Sequence, residues 1–442
     1  MRRIGRAYAY GPDPVARCWW AETVETPGWP RAEGEMTADV AVIGGGFTGL
    51  SAALHLAEAG VDVALCEAEA PFWGASGRNG GFCCLGGAKA DDATLARRFG
   101  EAGRRDWRRT ERAAVETVAG LIDRLGLEVD RHSEGETLLA HRPRDWAALQ
   151  HDAARAAEDY GVAPRLTPAA DLAAEGMAGP FHGALTLPVG FALNPRKYAA
   201  GLARAAEAAG ARLYAPAPVE ALVPERDGWR LDLPAGRLRA RRVILATNGY
   251  SAEDVPRWMR ARTMPVASNV LVTRPLTGDE LQAAGWTSGQ MAYDTRGLLH
   301  YFRLMPDNRF LFGMRGGLFE TPRERAALAR KIRQDFEAMF PAWAQVETPW
   351  LWSGLVCLTR PLTPFAGAVP GAPGLFAGFG YHGNGVAMGT HAGRLLADLV
   401  RDRAPGAAYP EAMRRPPGRF PFGRFRRAAL VPAYAAQALA DR

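Results

Sequence analysis

Residues 40–43, Val-Ala-Val-Ile, form a continuous apolar run, the pattern of a strand buried on both faces of a parallel sheet. Beyond it, Leu50, Ala53, Leu54 and Ala57 recur at the spacing of one helix face, and Gly60 supplies the stop. A second apolar run over 61–65 follows and leads to Glu67. Further on, 92–125 and 144–160 read as amphipathic helices, with a strand over 136–140 between them. Asn194 followed by Pro195 is an N-cap and a first helical position, so a helix is predicted to about Ala209, before Gly210. Short strands are expected at 212–214, 219–223, 229–233 and 242–246. Residues 298–304 and 310–313 read as a hairpin turning at Pro306-Asp307-Asn308. A last core helix is expected over 386–401. Strands alternating with helices in this way predict an α/β fold.

The turn between the first strand and the first helix carries the chemistry. Gly44, Gly46 and Gly49 match G-x-G-x-x-G across Gly44-Gly45-Gly46-Phe47-Thr48-Gly49. The first glycine permits the tight turn, the second lets a pyrophosphate approach the backbone, and the third lets helix and strand pack closely. Free amides and the positive dipole end at the helix start suit phosphate oxygens. Glu67, about 20 residues on, is placed to accept hydrogen bonds from ribose hydroxyls. An acid there suits FAD or NAD and argues against NADP. A second glycine-rich loop, 71–82, holds Gly74, Gly77, Gly80 and Gly81, with Ser76, Arg78 and Asn79 as donors. Such a loop lets backbone approach a ligand closely, so these residues are candidate cofactor contacts.

Composition narrows the class. The chain has 442 residues, enough for two domains. Charged residues make up 23% and hydrophobic ones 48%, ordinary for a globular protein. The net charge is +7, but the arginines are spread along the chain and no nucleic-acid module accompanies them. Lys89, Lys197 and Lys331 are the only lysines. Five cysteines without a CxxC pair argue against both a disulfide framework and a zinc site, and the chain reads as cytoplasmic. No run long enough to span a membrane is present. The sequence carries no signal for an oligomeric state.

The two glycine motifs together, GGGFTGL and then GASGRNGG, resemble the D-amino-acid oxidase/glycine oxidase (DAO) superfamily of FAD-dependent oxidoreductases. Within it the chain most resembles the γ-glutamylputrescine oxidase-like amine oxidoreductases. The resemblance covers nearly the whole chain. It implies a discontinuous, Rossmann-like FAD-binding domain and a substrate domain with a mixed β-sheet. On that basis 1–37 is an N-terminal arm. Residues 38–91, 191–261 and 351–406 form the FAD domain, 92–190 and 262–350 the substrate domain, and 407–442 a tail. The resemblance also implies contacts to FAD from Gly44, Gly46, Phe47, Thr48, Gly49, Glu67, Gly74, Ser76, Arg78, Asn79 and Gly80. It adds the Val219 backbone at the adenine and Thr247 beside the phosphates. Gly378, Gly380, Gly383, Asn384 and Gly385 belong to a turn that opens the last helix and meets the flavin.

The activity implied is oxidation of the C–N bond of an amine or amino acid, of the secondary-amine or γ-glutamylputrescine type. A hydride passes to flavin N5, the imine hydrolyses, and oxygen is reduced to hydrogen peroxide. A dehydrogenase passing electrons to a quinone or carrier protein is the alternative, with the basic tail as its docking surface. A flavoprotein without substrate chemistry of its own is the third reading. Tyr301 and Arg303, on one face of a strand by alternation, argue against it. They are candidates to hold an amine and a carboxylate, the other role for Arg303 being an ion pair with Asp294 or Asp307. His382 is a candidate at the flavin edge, or else a packed turn residue. Relatives of the sarcosine oxidase type bind flavin covalently through a cysteine. Gly354 aligns there, three residues before Cys357, so FAD is expected to be non-covalent. The lysine those relatives use with oxygen has no counterpart in the matching strands.

Overall fold

In the computed structural model, which describes residues 2–318 and 320–441, two eight-stranded sheets face one long cavity. The first sheet is built on the apolar runs. Strand Glu33–Ile43 pairs in parallel with Val63–Cys66 on one side and Ala235–Leu245 on the other. Arg212–Tyr214 and Leu375–Phe379 extend the parallel set outward. Helices Phe47–Glu58, Pro195–Ala208 and Ala387–Leu399 cover one face, and Leu50, Leu54, Leu202 and Leu395 are buried among them. Ile43, Cys66 and Leu245 end neighbouring parallel strands, so the loops that follow them open on the same edge. Ligands in open α/β sheets bind outside that carboxyl edge.

The second sheet is mixed. Its order is Trp350–Leu358, Met264–Val272, Phe310–Arg315, His300–Leu304, Met291–Asp294, Glu136–Leu139, Gly183–Leu187, Arg165–Pro168. Only the Met291–Asp294/Glu136–Leu139 pair is parallel among these neighbours. Alternation sends Phe302, Phe310 and Phe312 to the face under helix Pro322–Met339, where they pack with Phe336, Phe340, Trp286 and Trp343. Tyr301 and Arg303 point to the opposite face. Strand Trp350–Leu358 belongs to this second sheet, although its residues from 351 onward were assigned to the FAD domain from sequence. Its nine-residue ladder with Met264–Val272 fixes it there.

The N-terminal arm is pinned by Trp20, which is buried edge-on to Trp352 and donates from Nε1 to the Asn79 carbonyl at 2.8 Å. The tail ends in helix Leu430–Ala440, held where Asp441 accepts from the amides of Gly297 and Leu298 at 2.9 and 3.1 Å.

An ion cluster ties strand His300–Leu304 to helix Pro322–Met339. His300 Nδ1 meets Asp294 at 2.9 Å and Nε2 meets Asp335 at 3.1 Å. Burial opposes charge on the imidazole, but the hydrogen bonds to both carboxylates win and raise its pKa above the ordinary value. A raised folded-state pKa stabilises fully below the unfolded value of about 6.5. That contribution fades as pH climbs and is gone above the folded value. His300→Gln should therefore lower Tm most near pH 6, by roughly 3 kcal/mol of stability, with the gap narrowing toward pH 9. A gap independent of pH would show that His300 is neutral in the fold.

Candidate active site

The cavity holds about 400 Å³ between the carboxyl edge of the first sheet and the Tyr301 face of the second. That size is ordinary for a cofactor or small-molecule site. Its first end is made of glycine backbone. Gly44 has φ +109°, and a Cβ there would meet the Ala246 carbonyl at 2.9 Å. Gly49 lies against the same turn: a Cβ would stand 1.9 Å from the Gly44 carbonyl oxygen. Phe47 N donates to Ser76 Oγ at 2.9 Å, which ties the two glycine motifs together. Glu67 Oε2 accepts from Gly45 N at 2.7 Å and Oε1 from Glu69 N at 3.0 Å. Burial raises the pKa of this carboxyl.

Of the residues expected at the cofactor, Gly44, Gly46, Phe47, Thr48, Glu67, Gly74, Ser76, Arg78, Asn79, Gly80, Val219, Thr247, Gly383, Asn384 and Gly385 line the cavity. An independent test of fit to FAD is whether polar groups are left waiting. Arg78 is 2% exposed, stacks on Trp73 at 4.0 Å and leaves Nη2 buried without a partner. The Gly46 amide has no hydrogen-bond partner among the described residues. Donors at a glycine turn, a buried acid at the end of the second strand and a buried arginine are groups of the kind that suit the phosphates and sugar of FAD.

Gly49, Gly378 and Gly380 stand behind the lining rather than in it. Their role is close packing: Gly378 against Leu396, Tyr381 and Thr48, Gly380 at φ +84° against Thr359.

At the second end Tyr301 lines the cavity and shares a hydrogen bond with Ser268 Oγ at 3.0 Å. Burial raises its pKa, so the phenol is neutral. Arg303 does not reach the cavity. It shares the face of Tyr301 but lies further along the strand, under Trp20 and Phe82. Its Nη2 donates to the Leu193 carbonyl at 2.8 Å and its Nη1 to His132 Nε2 at 3.0 Å. Neither Asp294 nor Asp307 pairs with it. Burial pulls its pKa down to about 9. His382 is also fully buried and outside the lining. Its Nδ1 donates to the Gly87 carbonyl at 2.9 Å while Nε2 accepts from Thr359 N at 3.2 Å. These partners select a neutral tautomer, and burial lowers its pKa to about 4.

The guanidinium that does face the cavity is Arg315, at the end of the hairpin strand Phe310–Arg315. Gly313 opposes Tyr301 in the ladder and leaves room for its ring, and Arg315 is two residues further on the same face. Arg315 Nη2 donates to the His382 carbonyl at 3.2 Å, and Nε is buried without a partner. No carboxylate pairs with it among the described residues. Lys89 also lines the cavity and went unassigned in the sequence reading. The pattern Gly313-Met314-Arg315 on the partner strand of Tyr301 was the signal available for Arg315. Cys357 lines the cavity too, but burial pushes its thiol up to about 12, so it offers no thiolate for a covalent flavin bond at neutral pH.

Among the described residues no helix is long and apolar enough to cross a membrane. The chain is 33% identical over 436 residues to "Probable oxidoreductase OrdL" of Rhizobium meliloti (strain 1021), covering 96% of this chain and 97% of that one. It is 31% identical over 370 residues to the gamma-glutamylputrescine oxidoreductase of Escherichia coli (strain K12), covering 84% and 85%. Its fold matches the crystal structure of glycine oxidase from Geobacillus kaustophilus with a TM-score of 0.69 at 22% identity, over 84% of this chain and 96% of that one. The model of the family described as "DAO: FAD dependent oxidoreductase" matches residues 39–399, and the chain belongs to that family of FAD-dependent oxidoreductases.

Proposed function

We propose that the protein oxidises the C–N bond of an amine or amino acid that carries a carboxylate, with oxygen as the electron acceptor. The observation that carries this reading is Arg315 facing the same cavity as the glycine turn, with no carboxylate paired to it among the described residues. FAD, when bound, supplies at N5 the acceptor for the hydride leaving the carbon beside nitrogen. The protein supplies position. The planar fork of Arg315 suits a substrate carboxylate. The Tyr301 hydroxyl, fixed by Ser268, gives a neutral polar contact that can accept from or donate to the amine. Leu299 and Val270 line the apolar part of this end and keep water from the substrate. The imine product hydrolyses in water without help from the chain. FAD is held without a covalent bond, because burial keeps the three thiols that line the cavity, Cys66, Cys84 and Cys357, protonated. All five cysteines are free and buried, which supports the cytoplasm as the compartment.

The protein should purify yellow, and acid should leave the flavin in the supernatant. Anaerobic mixing with a panel of amines and amino acids should bleach the flavin with carboxylate-bearing members and not with simple alkylamines. Bleaching by alkylamines alone would remove Arg315 from the reading. Oxygen uptake with the same substrates should yield hydrogen peroxide. Phe422 and Phe425, 73% and 63% exposed beside Arg424, favour the alternative of an electron carrier docking on the tail. Bleaching without oxygen uptake, together with reduction of a quinone, would select it.

A further inference from the structure

The substrate end of the cavity holds a second cation. Lys89 follows the Gly86-Gly87 turn, and its backbone amide donates to the Leu362 carbonyl at 2.8 Å. That bond fixes the loop, and Lys89 lines the cavity. Its ammonium has no hydrogen-bond or ion-pair partner among the described residues. Burial, and then the nearby charge of Arg315, pull the Lys89 pKa down to about 8, so the ammonium is still mostly charged at neutral pH, and no acid pairs with Arg315 among the described residues.

The other ionisable groups nearby carry no compensating charge. Tyr301 and Tyr293 are neutral phenols, their pKa values raised by burial. The Cys84 thiol is pushed well above its ordinary value by burial and stays protonated. Behind Tyr293, Glu136 accepts from the tyrosine hydroxyl and from Leu85 N, both at 2.8 Å. Burial pushes that carboxyl up to about 8, so it is largely protonated at neutral pH. Glu67 belongs to the opposite, glycine-turn end. Two cations at this end of the cavity, with the lining acids Glu67 and Glu69 at the glycine-turn end, cost free energy that an anionic ligand recovers.

We propose that Lys89 forms a second anion subsite beside Arg315, and that the substrate is an amino or imino acid bearing two carboxylates. The inference rests on the reading of this cavity as the amine or amino-acid site. Arg315 takes the carboxylate near the reacting carbon, and Lys89 takes the distal one. A lysine suits the distal position, because a flexible stem and a point charge tolerate different chain lengths.

The test uses the FAD-loaded protein and reads binding by perturbation of the flavin spectrum, with no turnover required. Dicarboxylates from malonate to adipate are titrated against monocarboxylates of the same carbon number. At least one dicarboxylate should bind ten-fold or more tightly than its monocarboxylate partner. Lys89→Met should abolish that preference and leave monocarboxylate binding alone. Lys89→Arg should restore it, and Lys89→Glu should reverse it. Normal flavin content and Tm in each variant confirm folding. Equal affinity for the two series in the parent protein overturns the proposal, as does a preference that survives Lys89→Met. A change in sulfite affinity of the flavin with that preference intact would assign Lys89 to the cofactor instead. Monocarboxylates that perturb the flavin show that the Arg315 subsite stands even if Lys89 fails. Silence from both series, with no bleaching by any amine, would instead remove the underlying reading of the cavity.

Discussion

Arg315→Met should raise KM for a carboxylate-bearing substrate by roughly thirty-fold or more while leaving flavin content normal. Truncating one partner of a buried, hydrogen-bonded charge pair costs about 2–5 kcal/mol in binding, and each 1.4 kcal/mol is about ten-fold. The guanidinium faces the cavity beside Tyr301, its Nε has no partner, and its fixed contact is one bond to the His382 carbonyl. Arg315→Lys should recover little, because an ammonium lacks the bidentate fork. Arg303→Met is the control. Arg303 is 1% exposed and bonded to Leu193 and His132, so its loss should lower Tm and leave KM nearly unchanged. Its replacement leaves the Leu193 carbonyl without this donor, a defect worth about 1–3 kcal/mol. Steady-state kinetics and thermal melts on both variants separate the two arginines. A KM effect at Arg303 with none at Arg315 would exchange their roles.

The two arginines also show where sequence reasoning ran out. Alternation placed Tyr301 and Arg303 on one strand face, and the structure agrees. A face is longer than a pocket, however. Trp20 of the N-terminal arm closes the Arg303 end, and nothing in the local sequence ties residue 20 to residue 303. Arg315 reaches the cavity through strand pairing, since Gly313 opposite Tyr301 sets the register. The cofactor end was more legible because its chemistry is local. Strand, glycine turn, helix and acid follow one another within 30 residues, and backbone geometry leaves them few arrangements. His382 misled for the same reason that the glycine turn around it was found. A polar residue at φ +51° beside three glycines suggests a ligand contact, yet the Gly87 carbonyl and the Thr359 amide, both outside the turn, satisfy its imidazole. The edge strand Trp350–Leu358 is a different case: its place in the second sheet comes from pairing with Met264–Val272, a partner distant in the chain that the strand's own sequence does not name.

Gly49→Ala should yield protein largely free of flavin. The helix Phe47–Glu58 runs so close to its own strand's turn that a methyl group at Gly49 would stand 1.9 Å from the Gly44 carbonyl oxygen and 3.2 Å from Val42 Cγ1. Neither neighbour is a flexible side-chain tip, so the helix must move away from the turn. That movement displaces the Gly44–Thr48 backbone from the position where it faces the cavity. Overpacking of this kind costs about 1–3 kcal/mol in stability. The cost to FAD binding should be larger, because the phosphates need several amides in register at once. Gly120→Ala separates this effect from helix propensity. Gly120 lies inside helix Asp92–Leu125 with nothing within 4 Å of its Cβ position. Alanine there should raise stability by about 0.5–1 kcal/mol and leave the flavin in place. The measurements are the flavin-to-protein absorbance ratio of each purified variant and its melting temperature with and without added FAD. Full flavin occupancy in Gly49→Ala would show that the helix can shift without disturbing the phosphate turn, and the close approach of Gly49 to Gly44 would then be a matter of packing alone.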